Sequence, residues 1–165
     1  MIVAIDFGIT NTDVAISNKS QYKFFSIPSK NANESFIDEI ISLIDIDITE
    51  ISQIVVTGGK SNELNESFKG VNLTKISETD AIGYGTKEIY KIENEPFITL
   101  SCGTGTACIH HQDGQFSYIG GIAVGGGTIS GLSKAILDSS SLEEITDLAL
   151  KGNRKNIDLL IGDVV

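Results

Sequence analysis

One arrangement occurs twice in this chain. A short apolar run ends in a turn bearing glycine and threonine, a hairpin partner and a third strand follow, and then a helix. The first copy opens on Ile5-Asp6-Phe7-Gly8-Ile9-Thr10-Asn11-Thr12, the second on Leu100-Ser101-Cys102-Gly103-Thr104-Gly105-Thr106-Ala107. A chain that repeats an order of elements folds as related structural units. The pattern therefore predicts two α/β lobes, residues 1–95 and 96–165, parted by the Pro96 break. Each lobe opens with an antiparallel meander.

The first copy is the longer. Residues 2–6, 12–17 and 22–27 read as strands, the last two joined by the turn-rich residues 18–20. Asn33 marks a helix start, with Phe36, Ile37, Ile40, Ile41 and Ile44 on one face. Residues 54–57 form a buried strand ended by Gly58-Gly59, residues 61–68 a short helix and residues 71–76 another strand. A helix over 80–92 follows, with Ala81, Gly85 and Ile89 on one face. Gly83 and Gly85 weaken it unless something packs closely there. In the second copy residues 97–101, 106–110 and 115–119 read as strands, the last two linked by Asp113-Gly114, a hairpin signal. Ile129, Leu132, Ile136 and Leu137 mark an amphipathic helix, and residues 142–150 another. Nothing in the second copy matches the fourth and fifth strands of the first, which reads as a truncated chain or one completed by a partner.

The totals narrow the function classes. A hydrophobic fraction of 41% in 165 residues suffices for a core. The net charge of −10 and the lack of any basic run speak against nucleic acid and anionic membranes as partners. No run approaches a membrane span and the N-terminus lacks a signal peptide's basic region, so the chain reads as cytoplasmic. Cys102 and Cys108 flank a turn without zinc spacing and are expected as buried free thiols. A phosphate ligand must then be held by local amides, a metal ion or a few lysines. The glycine-dense residues 101–134 offer such amides at their turns and at the start of the helix after Thr128.

The paired turns, together with Gly120-Gly121, Gly125-Gly126-Gly127-Thr128 and Gly131-Leu132-Ser133-Lys134, resemble the actin-like (ribonuclease-H-like) ATPase superfamily. Within it they resemble the type II pantothenate kinases. The resemblance implies duplicated lobes, the second incomplete here, whose two hairpins grip ATP phosphates across a cleft. It implies transfer of the γ-phosphate to pantothenate, with ATP and Mg²⁺ as cofactors and a homodimeric assembly. Asp6, Gly8 and Thr10 match the first phosphate loop, and Gly103, Thr104 and Gly105, continuing into Thr106, the second. Glu78 matches the catalytic carboxylate, and Gly125, Gly126, Gly127 and Thr128 the glycine-rich turn behind the substrate. Three positions depart from the family: Asp13 where it has Lys, and, on the acceptor side, Ala107 where it has Ser and Tyr118 where it has Arg. Ala cannot replace a hydroxyl hydrogen bond, nor Tyr a guanidinium. The order Thr10-Asn11-Thr12-Asp13 is also similar to hydantoinase/oxoprolinase proteins of the same superfamily. A nucleotide-binding module without turnover is the further alternative.

Each candidate has a plainer reading. Asp6, at a strand's C-terminal end, suits a water-mediated Mg²⁺ ligand or a turn-capping Asp. Glu78 suits a base or orienting group for an attacking hydroxyl, while Ser77 and Asp80 beside it resemble a capping box. Gly103 to Thr106 suits phosphate or an ordinary hairpin, and Thr128 can cap the helix that follows it. Lys60 and Lys134 read as surface lysines or phosphate contacts. The adjacent His110 and His111 point to opposite faces of a strand, which disfavours a shared metal.

Overall fold

The computed structural model describes residues 1–18, 21–59 and 61–164. Part of the predicted turn at 18–20, and Lys60, lie outside the described residues. The chain divides into two compact units, one of Met1–Ser101 with Ala107–Gly121 and one of Cys102–Thr106 with Ile122–Val165.

In the first unit β1 (Ile2–Phe7), β2 (Asn11–Asn18) and β3 (Gln21–Pro28) form the predicted antiparallel meander. Then come α1 (Glu34–Leu43), β4 (Gln53–Thr57), β5 (Ser67–Phe68), β6 (Val71–Lys75) and α2 (Glu78–Tyr90). The sheet order is β3-β2-β1-β4-β6-β5, with β1, β4 and β6 mutually parallel. Strand alternation sends Val3, Ile5, Phe7, Val14, Ile16, Ile54 and Val56 to one face, where α1 covers them with Phe36, Ile37, Ile40 and Ile41. Asn33 caps α1 by accepting a bond from the Phe36 amide at 2.9 Å. Each large apolar side chain closed into this layer contributes about 1.5–3 kcal/mol of transfer free energy. The opposite face carries Ala4, Asp6, Asp13, Ala15, Val55 and Thr57 along a groove of about 590 Å³.

Residues 61–68 are not a helix. A single 3₁₀ turn at Ser61–Glu63 precedes β5, which pairs with β6 through a two-residue turn at Lys69 and Gly70. Both turn residues have positive φ, 47° and 85°, the geometry that favours a tight hairpin over helix continuation.

The helix predicted at 80–92 forms two residues earlier, because Ser77 caps it. The close packing expected at its glycines is found at Gly83, while the far end of its apolar face is open. Ile89 is 75% exposed. Gly83 is buried, and a methyl group there would lie 2.2 Å from the Phe116 ring. That close approach explains a glycine inside the helix.

The strands β7 (Phe97–Cys102), β8 (Thr106–Gln112) and β9 (Gln115–Ile122) form a second sheet in that order. Asp113 and Gly114 make the β8–β9 turn with φ of 53° and 76°. His111 is 2% exposed, between Phe97 and Phe116 at centroid distances of 4.7 and 4.9 Å. Its Nδ1 lies 3.2 Å from the Glu95 carbonyl. His110 is only half-buried, as alternation requires.

The second unit contains α3 (Gly126–Leu137) and α4 (Leu142–Lys151) at the predicted places. Their apolar faces are open: Ile129, Leu132, Ile136 and Leu137 of α3 are 51–75% exposed, and Leu142, Leu148 and Leu150 of α4 are 45–80% exposed. Periodicity predicts which residues share a face. Burial needs a facing layer, and the described residues of this unit supply none. Both cysteines are free, yet Cys102 is exposed and Cys108 half-buried, contrary to two buried thiols. Cys102 ends β7 at the turn, and alternation puts Cys108 on the face of β8 opposite Ile109 and His111.

Candidate functional site

Three acidic residues of the first unit, Asp6, Asp13 and Glu78, lie towards the C-terminal end of its parallel strands. Asp6 ends the exposed face of β1 and stands directly opposite Asp13 on β2, so both carboxylates leave the same face. Glu78 occupies the first turn of α2. Ser77 Oγ accepts from the Asp80 amide at 3.0 Å and donates to Asp80 Oδ2 at 2.7 Å. The cap is thus made by Ser77 and Asp80, and Glu78 stands outside it.

Asp6 is exposed as a residue, and its carboxyl lines the groove. Burial raises its pKa above the usual 3.8, with further upward pushes from Glu78 and then Asp13. An ionised Asp6 therefore costs the fold stability above its raised pKa, and the cost disappears below the ordinary carboxylate range. Asp6→Asn is expected to raise the melting temperature near pH 7. That gain should shrink to nothing as pH falls towards about 4. Thermal unfolding across this range checks it; a gain independent of pH would show that the charge is not the cause.

Two neighbours of Asp6 have no counterpart among the sequence candidates. Gly58 has φ of 72°, and a side chain there would put Cβ 2.3 Å from Asp6 Oδ1 and 2.8 Å from the Phe7 carbonyl. The glycine lets β4 turn away against the end of β1 and leaves the carboxylate its room. Thr57 pairs with Asp6 in the parallel register, and its buried Oγ1 has no hydrogen-bond partner among the described residues. The available signal was a Gly-Gly pair at the C-terminal end of a parallel strand, where open sheets present ligands.

The turn after β1 is tight. A Cβ on Gly8 would meet the Asn11 carbonyl at 2.5 Å. Thr10 is exposed at its tip, and its carbonyl accepts from the Ser29 amide at 3.1 Å. Thr12, the next threonine, is fully buried.

In the second unit the two glycine-rich segments clasp each other. The Gly126 amide donates to the Gly103 carbonyl at 2.8 Å and the Gly127 amide to the Thr104 carbonyl at 3.1 Å. Thr106 Oγ1 donates to the Val124 carbonyl at 2.8 Å. A Cβ on Gly105 would lie 2.9 Å from the Ile122 carbonyl. Two expectations change here. Gly125, not Thr128, is the residue before α3, and Thr128 sits inside the first turn with its hydroxyl 3.3 Å from the Ala123 carbonyl. Two amides at the helix start, read as phosphate seats, are already engaged with carbonyls of the facing turn. Gly103 stays open: a methyl group there would have no described atom beyond its chain neighbours within 4 Å.

Ala107 lies on β8 and Tyr118, 60% exposed, on β9; both belong to the first unit. Gly103 to Thr106 and Gly125 to Thr128 belong to the second. Lys134 pairs with Asp138 at 2.7 Å on an exposed surface.

Residues 84–165 match the Fumble family. A type II pantothenate kinase from Bacillus anthracis is 33% identical over 168 residues, covering 98% of this chain and 58% of the relative. The chain thus spans somewhat over half the length of the curated relative it matches. Among solved structures, the activator of the 2-hydroxyisocaproyl-CoA dehydratase from Clostridium difficile, with bound ADPNP, has a TM-score of 0.64 at 17% identity. The match covers 92% of this chain and 57% of that one. A ROK family protein from Streptococcus pneumoniae has a TM-score of 0.54 at 14% identity, covering 92% and 68%. At these identities the likeness is one of fold, the actin-like ATPase fold expected from the paired turns.

Proposed function

We propose that the chain is a member of the type II pantothenate kinase family and that it transfers the γ-phosphate of ATP to the primary hydroxyl of pantothenate, the first step of coenzyme A synthesis. Glu78 accepts the hydroxyl proton as the oxygen attacks phosphorus, and ADP leaves. Phosphoryl transfer depends mainly on alignment and charge neutralisation, so Glu78 serves as much to orient the alcohol as to take its proton. Asp6, Gly8 and Thr10 in the first unit, and Gly103 to Thr106 in the second, are the phosphate contacts of this reading. Ala107, Tyr118 and Gly125 to Thr128 are its acceptor side. The lobe boundary near Pro96, the homodimer and a cytoplasmic location belong to the same proposal.

What supports it is the placement of Asp6 at the C-terminal end of β1, directly opposite Asp13, with Glu78 in the first turn of the helix that follows the parallel strand β6. The same placement bears on magnesium. Among the described residues no three His, Cys, Asp or Glu side chains gather to hold a metal. A cation at Asp6 would draw the rest of its shell from water and phosphate oxygens. Mg²⁺ held there would neutralise charge on the transferring phosphate.

A second reading, nucleotide binding without turnover, is favoured by Asp13, Ala107 and Tyr118. Asp13 places a like charge directly opposite Asp6. ADP release measured with and without pantothenate separates the readings. Release that depends on pantothenate is expected. Release without it would point to an ATPase of the oxoprolinase kind, and ATP binding with no release to the module.

A further inference from the structure

Ser29, just beyond the end of β3, reaches back across the sheet edge to the turn that follows β1. Its amide donates to the Thr10 carbonyl at 3.1 Å, extending the β2–β3 ladder past the Asn11–Pro28 pair. Its hydroxyl donates to the Gly8 carbonyl and lies 3.0 Å from Thr12 Oγ1. A serine hydroxyl has a single proton. With that proton on Gly8, Thr12 must be the donor to Ser29. The protons therefore run in one direction, from Thr12 to Ser29 to the Gly8 carbonyl. Thr12 is 0% exposed, so water cannot take the place of Ser29 as its acceptor. One half-buried residue thus holds the first carbonyl of the turn, the carbonyl at its tip and the buried threonine that closes it.

We infer that Ser29 is a positioning residue for nucleotide binding: its hydroxyl, in relay with Thr12, holds the turn from Gly8 to Asn11 in the shape it presents to phosphate. This rests on the reading of that turn as a phosphate contact. Ser29 touches no reacting atom, and its effect passes through the backbone. A turn held before the ligand arrives need not be ordered at the ligand's expense. In Ser29→Ala the Gly8 carbonyl loses its donor and Thr12 its acceptor, while the backbone bond to Thr10 persists.

Two measurements on the 165-residue chain test this, with Ser29→Ala and Ser29→Thr compared to the parent. The first is amide hydrogen exchange without nucleotide. In Ser29→Ala the amides at 8–11 are expected to exchange at least about tenfold faster, with those of β1 and β4 unchanged. The second is ATP titration. Ser29→Ala should weaken ATP binding about tenfold and raise the KM for ATP with little change in kcat, and Ser29→Thr, which keeps the hydroxyl, should restore both. Unchanged exchange at 8–11 would overturn the inference. Faster exchange with unchanged ATP affinity would overturn it as well, by making the clamp structural only. If the parent itself binds no ATP, the phosphate reading of the turn fails and the inferred nucleotide role fails with it, while the exchange data separately show whether the clamp exists.

Discussion

Glu78→Gln is expected to lower turnover at least about a hundredfold and to leave ATP affinity within a few-fold. The amide keeps the shape and polarity of the side chain, and removes its ability to take a proton and its negative charge. Helix α2 should lose little, because its cap is made by Ser77 and Asp80. Loss of the charge also relieves Asp6, whose pKa Glu78 helps to raise. Steady-state kinetics with ATP titration provides the check. Turnover equal to the parent's would remove Glu78 from the mechanism and leave it as a helix-terminal acid.

Gly125→Ala is expected to cost about 1–3 kcal/mol of stability and to weaken ATP binding along with it. The added methyl carbon would lie 2.6 Å from the Gly105 carbonyl oxygen, 2.7 Å from its carbon and 2.8 Å from its Cα. All three are backbone atoms, which cannot rotate aside as a side chain can. The two clasped turns must separate, and the bonds from Gly126 to Gly103 and from Gly127 to Thr104 stretch with them. Gly131→Ala is the control. Gly131 lies in the helix that Gly125 precedes, with no described atom crowding a Cβ position within 4 Å, so alanine there should stabilise by about 0.5–1 kcal/mol. Thermal unfolding of both variants, with ATP titration, tests the pair. Equal effects of the two substitutions would mean that helix propensity, not the clasp, governs this segment.

These cases show which parts of the site were legible in advance. Asp6 is readable from a strand ending in Asp-Phe-Gly, because alternation puts it on the face away from Val3, Ile5 and Phe7. Its partners Asp13 and Thr57 are a matter of register, seven and fifty-one positions away along the chain, and no local pattern sets which residues stand opposite. The glycines were legible as punctuation. Their reasons were not: Gly83 makes room for a ring from β9, Gly58 for a carboxylate on β1, and Gly125 for the backbone of a facing turn. Thr128 looked like a cap because a hydroxyl after glycines suits one. The helix instead begins earlier, where the Gly126 amide finds a carbonyl on Gly103. Ser29 carried no signal beyond following Pro28, since its three attachments all lie at least seventeen residues away.

The amino-acid order by itself determined the meander, the covered face of the first sheet, the hairpin at Asp113-Gly114 and the start of α1. Each follows from interactions within a few residues: alternation, capping and positive φ at tight turns. Only the tertiary structure decided that β5 is a strand, that the apolar faces of α3 and α4 stay open, and that Asp6, Glu78 and Asp13 share one electrostatic neighbourhood. Those outcomes depend on which distant segment arrives alongside. Packing and Coulomb energies act through space, while the patterns a reader can see run only along the chain.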